Sequence, residues 1–445
     1  MKTQNLRTFY TIILTQTLSM IGSRVSGLAL GIWLFAETGN ATPLALVAFF
    51  GLIPQIIVQG FAGVLADRWD RRYVMAISDA GQAVATVILL VLFLSGQFAI
   101  WHLYIVIFIQ AVFGVFQAPA FAASVTMLIP DEQRDRANAI MQMTGPAAGI
   151  IAPVIAGLIF AAIGVVGVIT IDLITFAVAV LVILLVRIPR PRKTEEAAQL
   201  SGSMLKEMTS GLVFLWERKG LFWMTMAAMG LNFVLSMSGV LMTPYLLERT
   251  GSEAAYGFIL GVFNAGALVG GIVISVWGGT RPRIYTIIGS VAAMGIAVML
   301  FGMSQTTAIL ALTSFFVMFP NMFANVSLQS ILQAKVAPDL QGRVFAAIGQ
   351  MAMLMSPIAY LIAGPLADNV MSPLVSQPQW ETVAPFVGSG DGAGIGLLFV
   401  LSGIATVVLA LSMLFVPSVR NVEADLPDFI PEPAPDEIEP ELAPA

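Results

Sequence analysis

The sequence contains no cysteine and a single histidine, His102. The first absence excludes disulfides and thiolate metal ligands, and the second excludes a histidine-rich metal centre. Charge is also scarce: Asp, Glu, Lys and Arg make up 11% of the 445 residues, whereas a soluble domain carries roughly 25%. Because 58% of the residues are apolar and the mean hydropathy is +0.89, the composition is that of a membrane protein.

Apolar stretches of transmembrane length recur along the chain, because an α-helix needs about 20 residues to cross a hydrocarbon core. The alternating pattern of a transmembrane barrel does not occur. We therefore predict an all-α membrane protein with twelve transmembrane helices in two six-helix halves. The predicted spans cover residues 8–36, 43–66, 73–95, 99–129, 138–163, 165–187, 219–247, 254–279, 284–303, 306–336, 344–369 and 394–417.

The distribution of Lys and Arg predicts the orientation of these spans. If both termini lie in the cytoplasm, 19 of the 21 basic residues fall on the inner side. Of the other two, Arg249 lies in an outer loop and Arg24 lies within the first span. So strong a bias is typical of cytoplasmic loops, and we expect a multi-pass protein of the inner, cytoplasmic membrane of the cell.

The same pattern divides the chain into an N-terminal half (1–187), a cytoplasmic linker (188–218) and a C-terminal half (219–417). Within the linker, Leu205, Val213 and Leu215 indicate an amphipathic helix on the inner membrane surface. Residues 418–445 are acidic and rich in proline, which predicts a disordered tail. The long outer loop 370–393 runs into the glycine-rich stretch "GSGDGAG" (388–394), which we interpret as a flexible linker.

Small residues recur at matching places in four successive three-helix quarters. Close helix packing is the alternative explanation, but the shared phase favours internal repeats. The loops "IPDEQRDRAN" (129–138) and "APDLQGRVFA" (337–346) match in the same way. The four pairs are Ala62-Gly63, Ala156-Gly157, Gly270-Gly271 and Ala363-Gly364.

Polar side chains concentrate on the first predicted helix of each quarter. They are costly in hydrocarbon and usually face protein or water. The tenth span carries its amides at every fourth position, and therefore on one face. Interhelical hydrogen bonds, worth about 0.6–2 kcal/mol each, are the alternative to the shared aqueous cavity that we predict. Its candidate lining residues are Gln16, Ser23, Arg24, Gln110, Gln117, Asn232, Asn321, Asn325 and Gln329, with Phe49, Phe50, Phe263, Met351 and Met355 as apolar candidates.

Arg24 lies about 16 residues into the first span, or roughly 24 Å along a helix. A central arginine costs about 2.5–3.5 kcal/mol on insertion, so it needs a partner or a function. Arg24 could pair with Asp172 at a similar depth, and that ion pair could exchange a proton. It could instead bind an acidic or zwitterionic substrate, or extend towards outer water. Asp79 is a poorer partner, because it lies near the inner end of the third span.

The stretch "GVLADRWDRR" (63–72) resembles the signature loop of the major facilitator superfamily, Gly-x-Leu-Ala-Asp-Arg-x-Gly-Arg-Lys. Gly63, Asp67, Arg68 and Arg71 match it, whereas Asp70 replaces the usual Gly, as in the macrolide-efflux branch. The stretches "PDEQ" (130–133), "RKGLF" (218–222) and "GRVF" (342–345) are similar to that branch as well. The resemblance covers residues 8–417. Two features depart from the drug antiporters of the family: Gln110 replaces an arginine, and Ala152 replaces the glycine before Pro153.

The resemblance implies a conformational latch at the inner side of the molecule. Asp67 would face the N-terminus of the eleventh helix, where free N–H groups favour an anion. Arg68, with Arg71 nearby, would reach Asp131 at the end of the fourth helix. Positive-inside topology alone would explain the arginines but not Asp67. Such contacts would close the inner side while the outer side is open.

The resemblance also implies a function: proton-driven efflux of bulky amphipathic compounds such as macrolides, without a cofactor. The expected partners are a small-molecule substrate, protons and the lipid bilayer, with no nucleic acid, and we expect a monomer. The sequence has no nucleophile–base pair, metal-ligand spacing or nucleotide-binding domain, so an enzyme and an ATP-driven pump are excluded. The alternatives are an exporter of a native metabolite, such as a siderophore or a lipid, and a membrane sensor or assembly partner without transport.

Overall fold

The computed structural model describes residues 6–128, 134–186 and 204–429, and every regular element in these ranges is helical. The described residues of the first half form long helices, and short turns join the first four of them. They are α1 (Leu6–Thr38), α2 (Thr42–Arg68), α3 (Arg71–Leu94), α4 (Ile100–Leu128) and α5 (Arg134–Leu185).

A short helix in the linker precedes the second half, whose membrane-length helices are apolar and are accompanied by several short helices. The helices are α6 (Met204–Glu217), α7 (Lys219–Thr250), α8 (Glu253–Trp277), α9 (Arg283–Met303), α10 (Thr307–Lys335), α11 (Pro338–Met353), α12 (Ser356–Leu366), α13 (Ser372–Leu374), α14 (Ala384–Val387), α15 (Ala393–Phe415), α16 (Pro417–Arg420) and α17 (Val422–Asp425). A π-helical turn (Ala367–Met371) and a 3₁₀ turn (Pro378–Thr382) complete this half.

Within the described residues, eleven helical segments are long and apolar enough to cross a membrane. One of them, Ala147–Leu185, has 39 residues, about twice the length that a single crossing requires. Gly164 interrupts the helical conformation there with φ 65° and ψ −176°, which glycine adopts without steric cost. The all-helical membrane architecture is confirmed, and the count of twelve helices stays a prediction.

The eleventh predicted span is not one continuous helix. The chain turns at Leu354 and Met355, between α11 and α12. Pro357 is the reason, because a proline has no N–H to donate and its ring clashes with the preceding turn of a helix. A π-helical turn then follows α12 directly and carries Asp368.

The four small-residue pairs mark close contacts between helices wherever their surroundings are described. A Cβ atom on Gly157 would lie 2.3 Å from the carbonyl oxygen of Glu253, and one on Gly270 would lie 2.3 Å from that of Phe319. A Cβ atom on Gly364 would lie 2.5 Å from Cα of Thr42. The side-chain surroundings of Gly63 are outside the described part of the chain. Close packing therefore explains three of the pairs, whether or not they also descend from repeats.

The two halves meet along pairs of helices. α2 packs against α12, α5 against α8, and α1 against α7. The α5–α8 crossing is tight on both sides, since a Cβ on Gly257 would lie 2.4 Å from the carbonyl oxygen of Pro153. This contact involves the N-terminal end of α8 and the part of α5 that precedes Gly164, both on the predicted outer side.

Two segments differ from the sequence-based expectation. Residues 418–429 belong to the predicted disordered tail, yet Val419 and Val422 are buried, and Lys335 forms an ion pair with Asp428 at 2.8 Å. Residues 430–445 are outside the described residues. The prediction was wrong for residues 418–429 because it was based on amino-acid composition alone. Contacts with residues far away in the chain order this part of the tail.

The outer loop is the second such segment. Trp380 is 4% exposed, and its indole N–H donates to the carbonyl oxygen of Gly388 at 2.9 Å. Arg249, at the end of α7, donates to the carbonyl oxygen of Val387. The glycine-rich stretch that we interpreted as a flexible linker is therefore a folded turn, in which Gly388 and Gly392 have positive φ values.

The amphipathic helix predicted in the linker corresponds to α6. Leu215 is buried, whereas Val213 is exposed, and the side chain of Leu205 lies outside the described part. A Cβ atom on Gly211 would lie 2.5 Å from the carbonyl oxygen of Arg343. One side of α6 therefore packs against α11.

Candidate functional site

Where we expected one shared cavity, the structure has a large cavity in each half. The first has a volume of about 940 Å³ and is lined by residues of α1 to α5. The second has a volume of about 430 Å³ and is lined by α7, α9, α10, α11 and α15. Both volumes fall within the range of ligand pockets, roughly 300–1,000 Å³. The amide-bearing helices of each half line the cavity of their own half.

Six of the nine predicted polar residues line these cavities, whereas Gln16, Arg24 and Gln117 line neither. Ser23 and Gln110 line the first, together with Asp172. The second is lined by Asn232, Asn321, Asn325 and Gln329. Other polar side chains of the first cavity did not figure among our predictions, namely Ser26, Gln55, Gln59, Gln82 and Thr86.

A buried carboxylate supports the wall of the first cavity. Asp79 on α3 has no exposed surface, and it accepts hydrogen bonds from Nε2 of Gln16 at 2.9 Å and from Nε2 of Gln117. The same nitrogen of Gln117 donates to Oε1 of Gln16 at 2.7 Å. Gln82, which lines the cavity, donates to Oε1 of Gln117 at 3.1 Å. A buried acid group thus connects through amides to the cavity surface.

The sequence contained a signal for this network. Asp79, Gln82 and Thr86 follow one another at intervals of three and four residues, and therefore lie on one face of α3. Gln110 joins the same wall by donating to Oγ1 of Thr86 at 3.0 Å. We had considered Asp79 as a candidate for proton exchange or ion pairing, and as a poorer partner for Arg24 than Asp172, without the glutamines as its partners.

The predicted ion pair between Arg24 and Asp172 is not formed in this structure. Asp172 is 3% exposed and accepts a hydrogen bond from the hydroxyl of Ser23 at 3.0 Å. Consecutive residues of a helix project about 100° apart. Since Ser23 faces Asp172, the neighbouring Arg24 points elsewhere.

Arg24 is exposed and extends towards α5 and the second half. Its guanidinium donates to the carbonyl oxygen of Gly145 at 3.4 Å. A Cβ atom on Gly149 would lie 3.5 Å from Nη1 of Arg24 and 2.9 Å from Oδ1 of Asn264 on α8. The charge therefore lies where the two halves meet, and it does not extend towards the C-terminal end of α1, as snorkelling to outer water would require.

The amides of α10 line the second cavity and bind one another in part. Asn325 is exposed and donates to Oδ1 of Asn321 at 2.9 Å. Asn232 on α7 donates to the carbonyl oxygen of Ala228, one turn earlier. Gln329 lines the same cavity one turn beyond Asn325, so its amide extends the polar face of α10 along the cavity wall.

The five apolar residues that we predicted for the cavity line neither of the two large cavities. Phe50 stacks on Tyr104 with ring centroids 5.5 Å apart, and Phe49 packs edge-on against Phe50. Phe263 lines a small apolar cavity of about 90 Å³. Met351 packs against the core of the second half, and Met355 precedes the first residue of α12.

The predicted inner latch lies mostly outside the described residues. Gly63, Asp67 and Arg68 belong to the last turns of α2, but their side chains are not among those described, and Asp131 is outside the described ranges. Arg71 is half-buried at the start of α3.

The structure accounts for the acid at position 70, where the family pattern has glycine. Asp70 caps α3, because its carboxylate accepts a hydrogen bond from the backbone N–H of Arg72 at 3.1 Å. The side chain of Arg72 donates to the carbonyl oxygens of Ile183 and Leu184. The cation thereby stabilises the C-terminal end of α5.

Comparisons with known proteins agree on one family. The family model described as Major Facilitator Superfamily matches residues 12–360. Macrolide efflux protein A of Streptococcus pyogenes is 27% identical over 368 residues, which cover 81% of this chain and 90% of that protein. The protein of the same name from Enterococcus faecalis is 26% identical over 323 residues, covering 72% of this chain and 99% of that protein. Multidrug efflux pump Tap of Mycolicibacterium fortuitum is 24% identical over 345 residues, covering 76% and 83%.

Solved structures show the same fold at lower sequence identity. The nucleoside transporter NupG superposes with a TM-score of 0.69 at 14% identity, over 92% of this chain and 98% of that one. A bacterial homolog to the human lysosomal transporter Spinster, in an inward-facing and unoccupied conformation, also gives a TM-score of 0.69 at 14% identity, over 96% and 99%.

Proposed function

Since the chain belongs to the major facilitator superfamily, and is thus a membrane transporter and not an enzyme, we propose that it exports bulky amphipathic compounds by alternating access. The proposal includes twelve transmembrane helices in two halves, 1–187 and 219–417, with both termini in the cytoplasm. Residues 188–218 connect the halves. The relatives named for macrolide and multidrug efflux support the direction of transport and the substrate class.

The cavity of about 940 Å³ is the observation that carries this proposal. Its wall combines apolar side chains, such as Leu30, Leu89 and Phe176, with several amides and one carboxyl group. An amphipathic compound needs both kinds of surface: the apolar groups bury its hydrophobic part, and the amides accept or donate hydrogen bonds to its polar groups. The cavity of the second half supplies a similar mixture.

We propose that protons drive the export and that Asp172 is the group which exchanges them. It lines the large cavity and has a hydroxyl group as its hydrogen-bond donor. A carboxyl group on the wall of a membrane cavity is a typical site of proton exchange, because it can release or take up a proton as the cavity gains or loses contact with water. Asp79 is a second candidate, because the amide network connects it to the same wall.

The inner latch remains part of the proposal. Asp67 would bind the N-terminal end of α11, and Arg68 would reach Asp131 when the inner side closes. Arg71, which begins α3, would support this arrangement.

Arg24 supports a second candidate function. Its exposed guanidinium, which donates to a backbone carbonyl, presents a positive charge where the halves meet. A guanidinium in that place suits the carboxylate or phosphate of an acidic metabolite. In that case the chain would export such a metabolite, and Arg24 would bind it.

The test is transport by the purified protein in liposomes with an imposed pH gradient. We expect a macrolide to move against its concentration gradient in the wild type. We expect Asp172→Asn to retain binding and to lose acceleration by the pH gradient. Asp425→Asn makes the same chemical change at an exposed residue and should transport normally.

Two outcomes would contradict parts of the proposal. Equal acceleration of wild type and Asp172→Asn by the pH gradient would remove Asp172 as the coupling group. Transport of an acidic compound, with no movement of macrolides and with loss on Arg24→Gln, would replace the first candidate function by the second.

A further inference from the structure

Asp368 joins the two halves of the molecule. Its Oδ1 accepts a hydrogen bond from the backbone N–H of Ala41 at 2.8 Å. Its Oδ2 accepts one from the backbone N–H of Thr42 at 2.8 Å and one from the Thr42 hydroxyl at 2.5 Å. Ala41 and Thr42 form the N-terminal end of α2, where backbone N–H groups lack partners within the helix and the helix dipole favours an anion.

Small residues surround Asp368 and allow α12 to approach the N-terminal end of α2 closely. Gly364 lies four residues earlier and therefore on the same face. A Cβ atom at Gly364 would come within 2.5 Å of Cα of Thr42. Ala363, Ala367 and Ala41 around it are at most 1% exposed. Asp368 and Thr42 are themselves half-buried, and separation of the halves must break all three hydrogen bonds to the carboxylate.

The sequence around Asp368 repeats the sequence around Asp67. Residues 62–67 read "AGVLAD" and residues 363–368 read "AGPLAD", so five of the six positions are identical. The first copy ends α2 and the second ends α12, with Asp368 in the following π-helical turn. Because α2 and α12 pack together and the second copy lies at the N-terminal end of α2, the two copies lie at opposite ends of this helix pair.

We infer that Asp368 is a positioning residue of the transport cycle, a latch that holds the outer side closed. The inference rests on the proposed function, in which Asp67 performs the corresponding role at the inner side. Asp67 lies at the C-terminal end of α2 and would bind the N-terminal end of α11, whereas Asp368 follows the C-terminal end of α12 and binds the N-terminal end of α2. One latch forms when the outer side closes, and the other forms when the inner side closes.

Other contacts between the halves support a closed outer side in this conformation. The N-terminal end of α8 touches α5 at Gly157, where a Cβ atom would lie 2.3 Å from the carbonyl oxygen of Glu253. Glu253 begins α8 as Thr42 begins α2, and both helices start on the predicted outer side. The Asp368 bonds add a charge-assisted contact on that side, and opening must break them.

The chain offers a direct assay, because it has no native cysteine. Val240 lines a cavity of about 200 Å³ between the halves, so Val240→Cys reports access from the outer side. Gln329→Cys reports access to the second cavity. Each reporter would be labelled with a membrane-impermeant maleimide, the first on intact cells and the second on inside-out vesicles.

We expect Asp368→Asn to raise the rate of labelling at position 240 at least fivefold and to lower the rate at position 329. Thr42→Val removes one of the three donors and should change both rates in the same directions by a smaller factor. Asp391→Asn removes an exposed acid of the outer loop and should change neither rate. The assay requires no substrate, so it remains informative if the proposed substrate is wrong.

Unchanged labelling at both reporters in Asp368→Asn would overturn the inference. Faster labelling at both would overturn it as well. Partial unfolding would then explain the result, and not a shift from the conformation with a closed outer side to the one with a closed inner side. If Asp368→Asn is not recovered from the membrane, opposite shifts of the two rates in Thr42→Val would support the latch, and unchanged rates there would overturn it.

Discussion

Asp79 illustrates how a single buried group can fix the shape of a cavity wall. Its carboxylate has no exposed surface, and amides from α1 and α4 donate to it. Gln117 holds the centre of this arrangement, because it contacts Asp79, Gln16 and Gln82. A buried polar group that loses its partner costs more than a polar pair that is replaced as a whole.

We therefore predict that Gln117→Leu destabilises the protein by about 1–3 kcal/mol. The substitution strands Asp79 without one of its two amide donors. The double variant Asp79→Leu with Gln117→Leu should recover most of the loss, because no buried carboxylate remains. Thermal unfolding in detergent measures both effects. If the double variant is at least as unstable as Gln117→Leu, the hydrogen bond between Gln117 and Asp79 does not stabilise the fold.

Two adjacent glycines of α8 provide a matched test of helix packing. A Cβ on Gly270 would lie 2.3 Å from the backbone oxygen of Phe319 on α10, whereas a Cβ on Gly271 would lie 3.7 Å from the flexible end of Met322. Gly270→Ala should lower the midpoint of thermal unfolding by several degrees, because overpacking costs about 1–3 kcal/mol. Gly271→Ala should leave it nearly unchanged. Equal midpoints for the two variants would show that α8 and α10 can separate at little cost.

At the scale of helices, the cost of polar groups in hydrocarbon made the long spans predictable. The contacts that end or interrupt helices were less predictable. The break at Pro357 had a local cause that the sequence displays, whereas the folded segment 418–429 depends on partners far away in the chain. Lys335, for example, donates to the carbonyl oxygens of Glu423 and Leu426. No local pattern of charge or hydrophobicity could indicate such a pairing.

The candidate site was also predictable only in part: the sequence indicated which residues share a helix face, but not which residues they contact on other helices. Helical spacing identified Asn321, Asn325 and Gln329 as one face, and all three line the second cavity. Spacing could not show that Ser23, and not Arg24, would be the residue of α1 that binds Asp172. The two residues are neighbours in the helix, and only the rotation of α1 determines which of them faces Asp172. The partners of Asp368 were likewise hidden, since they lie more than 300 residues away in the chain.

The segment 417–429 should be a required part of the second half. The carboxylate of Glu423 accepts a hydrogen bond from the backbone N–H of Ile284 at 2.9 Å, at the start of α9. The side chain of Lys335, at the end of α10, is 6% exposed beneath the segment. We predict that a chain ending at residue 429 unfolds at the same temperature as the full-length chain. A chain ending at residue 416 should unfold at a lower temperature and be cleaved faster by trypsin at Lys335.

For the whole molecule, the structure combines a cavity in each half with close contacts between the halves at the α5–α8 crossing and at Asp368. The cavities lie in different halves, so a bulky substrate that bound both would bridge the halves. In the proposed alternating access, the tight α5–α8 crossing limits how closely the halves approach on the predicted outer side. Glycines at that crossing should therefore affect the conformational equilibrium more than the stability of either half.

We predict that Gly257→Ala shifts the molecule towards an open outer side. A Cβ at this position would lie 2.4 Å from the backbone oxygen of Pro153, and a backbone atom cannot move aside as a flexible side chain can. Gly239→Ala is the control, because a Cβ there would have no neighbour within 4 Å. Spin labels at Ser95→Cys and Thr307→Cys, exposed residues at the predicted outer ends of the two halves, report their separation. The distance between the labels should increase by several ångströms in Gly257→Ala and remain as in the wild type in Gly239→Ala. An unchanged distance in Gly257→Ala, with normal transport, would mean that the outer side closes without this contact.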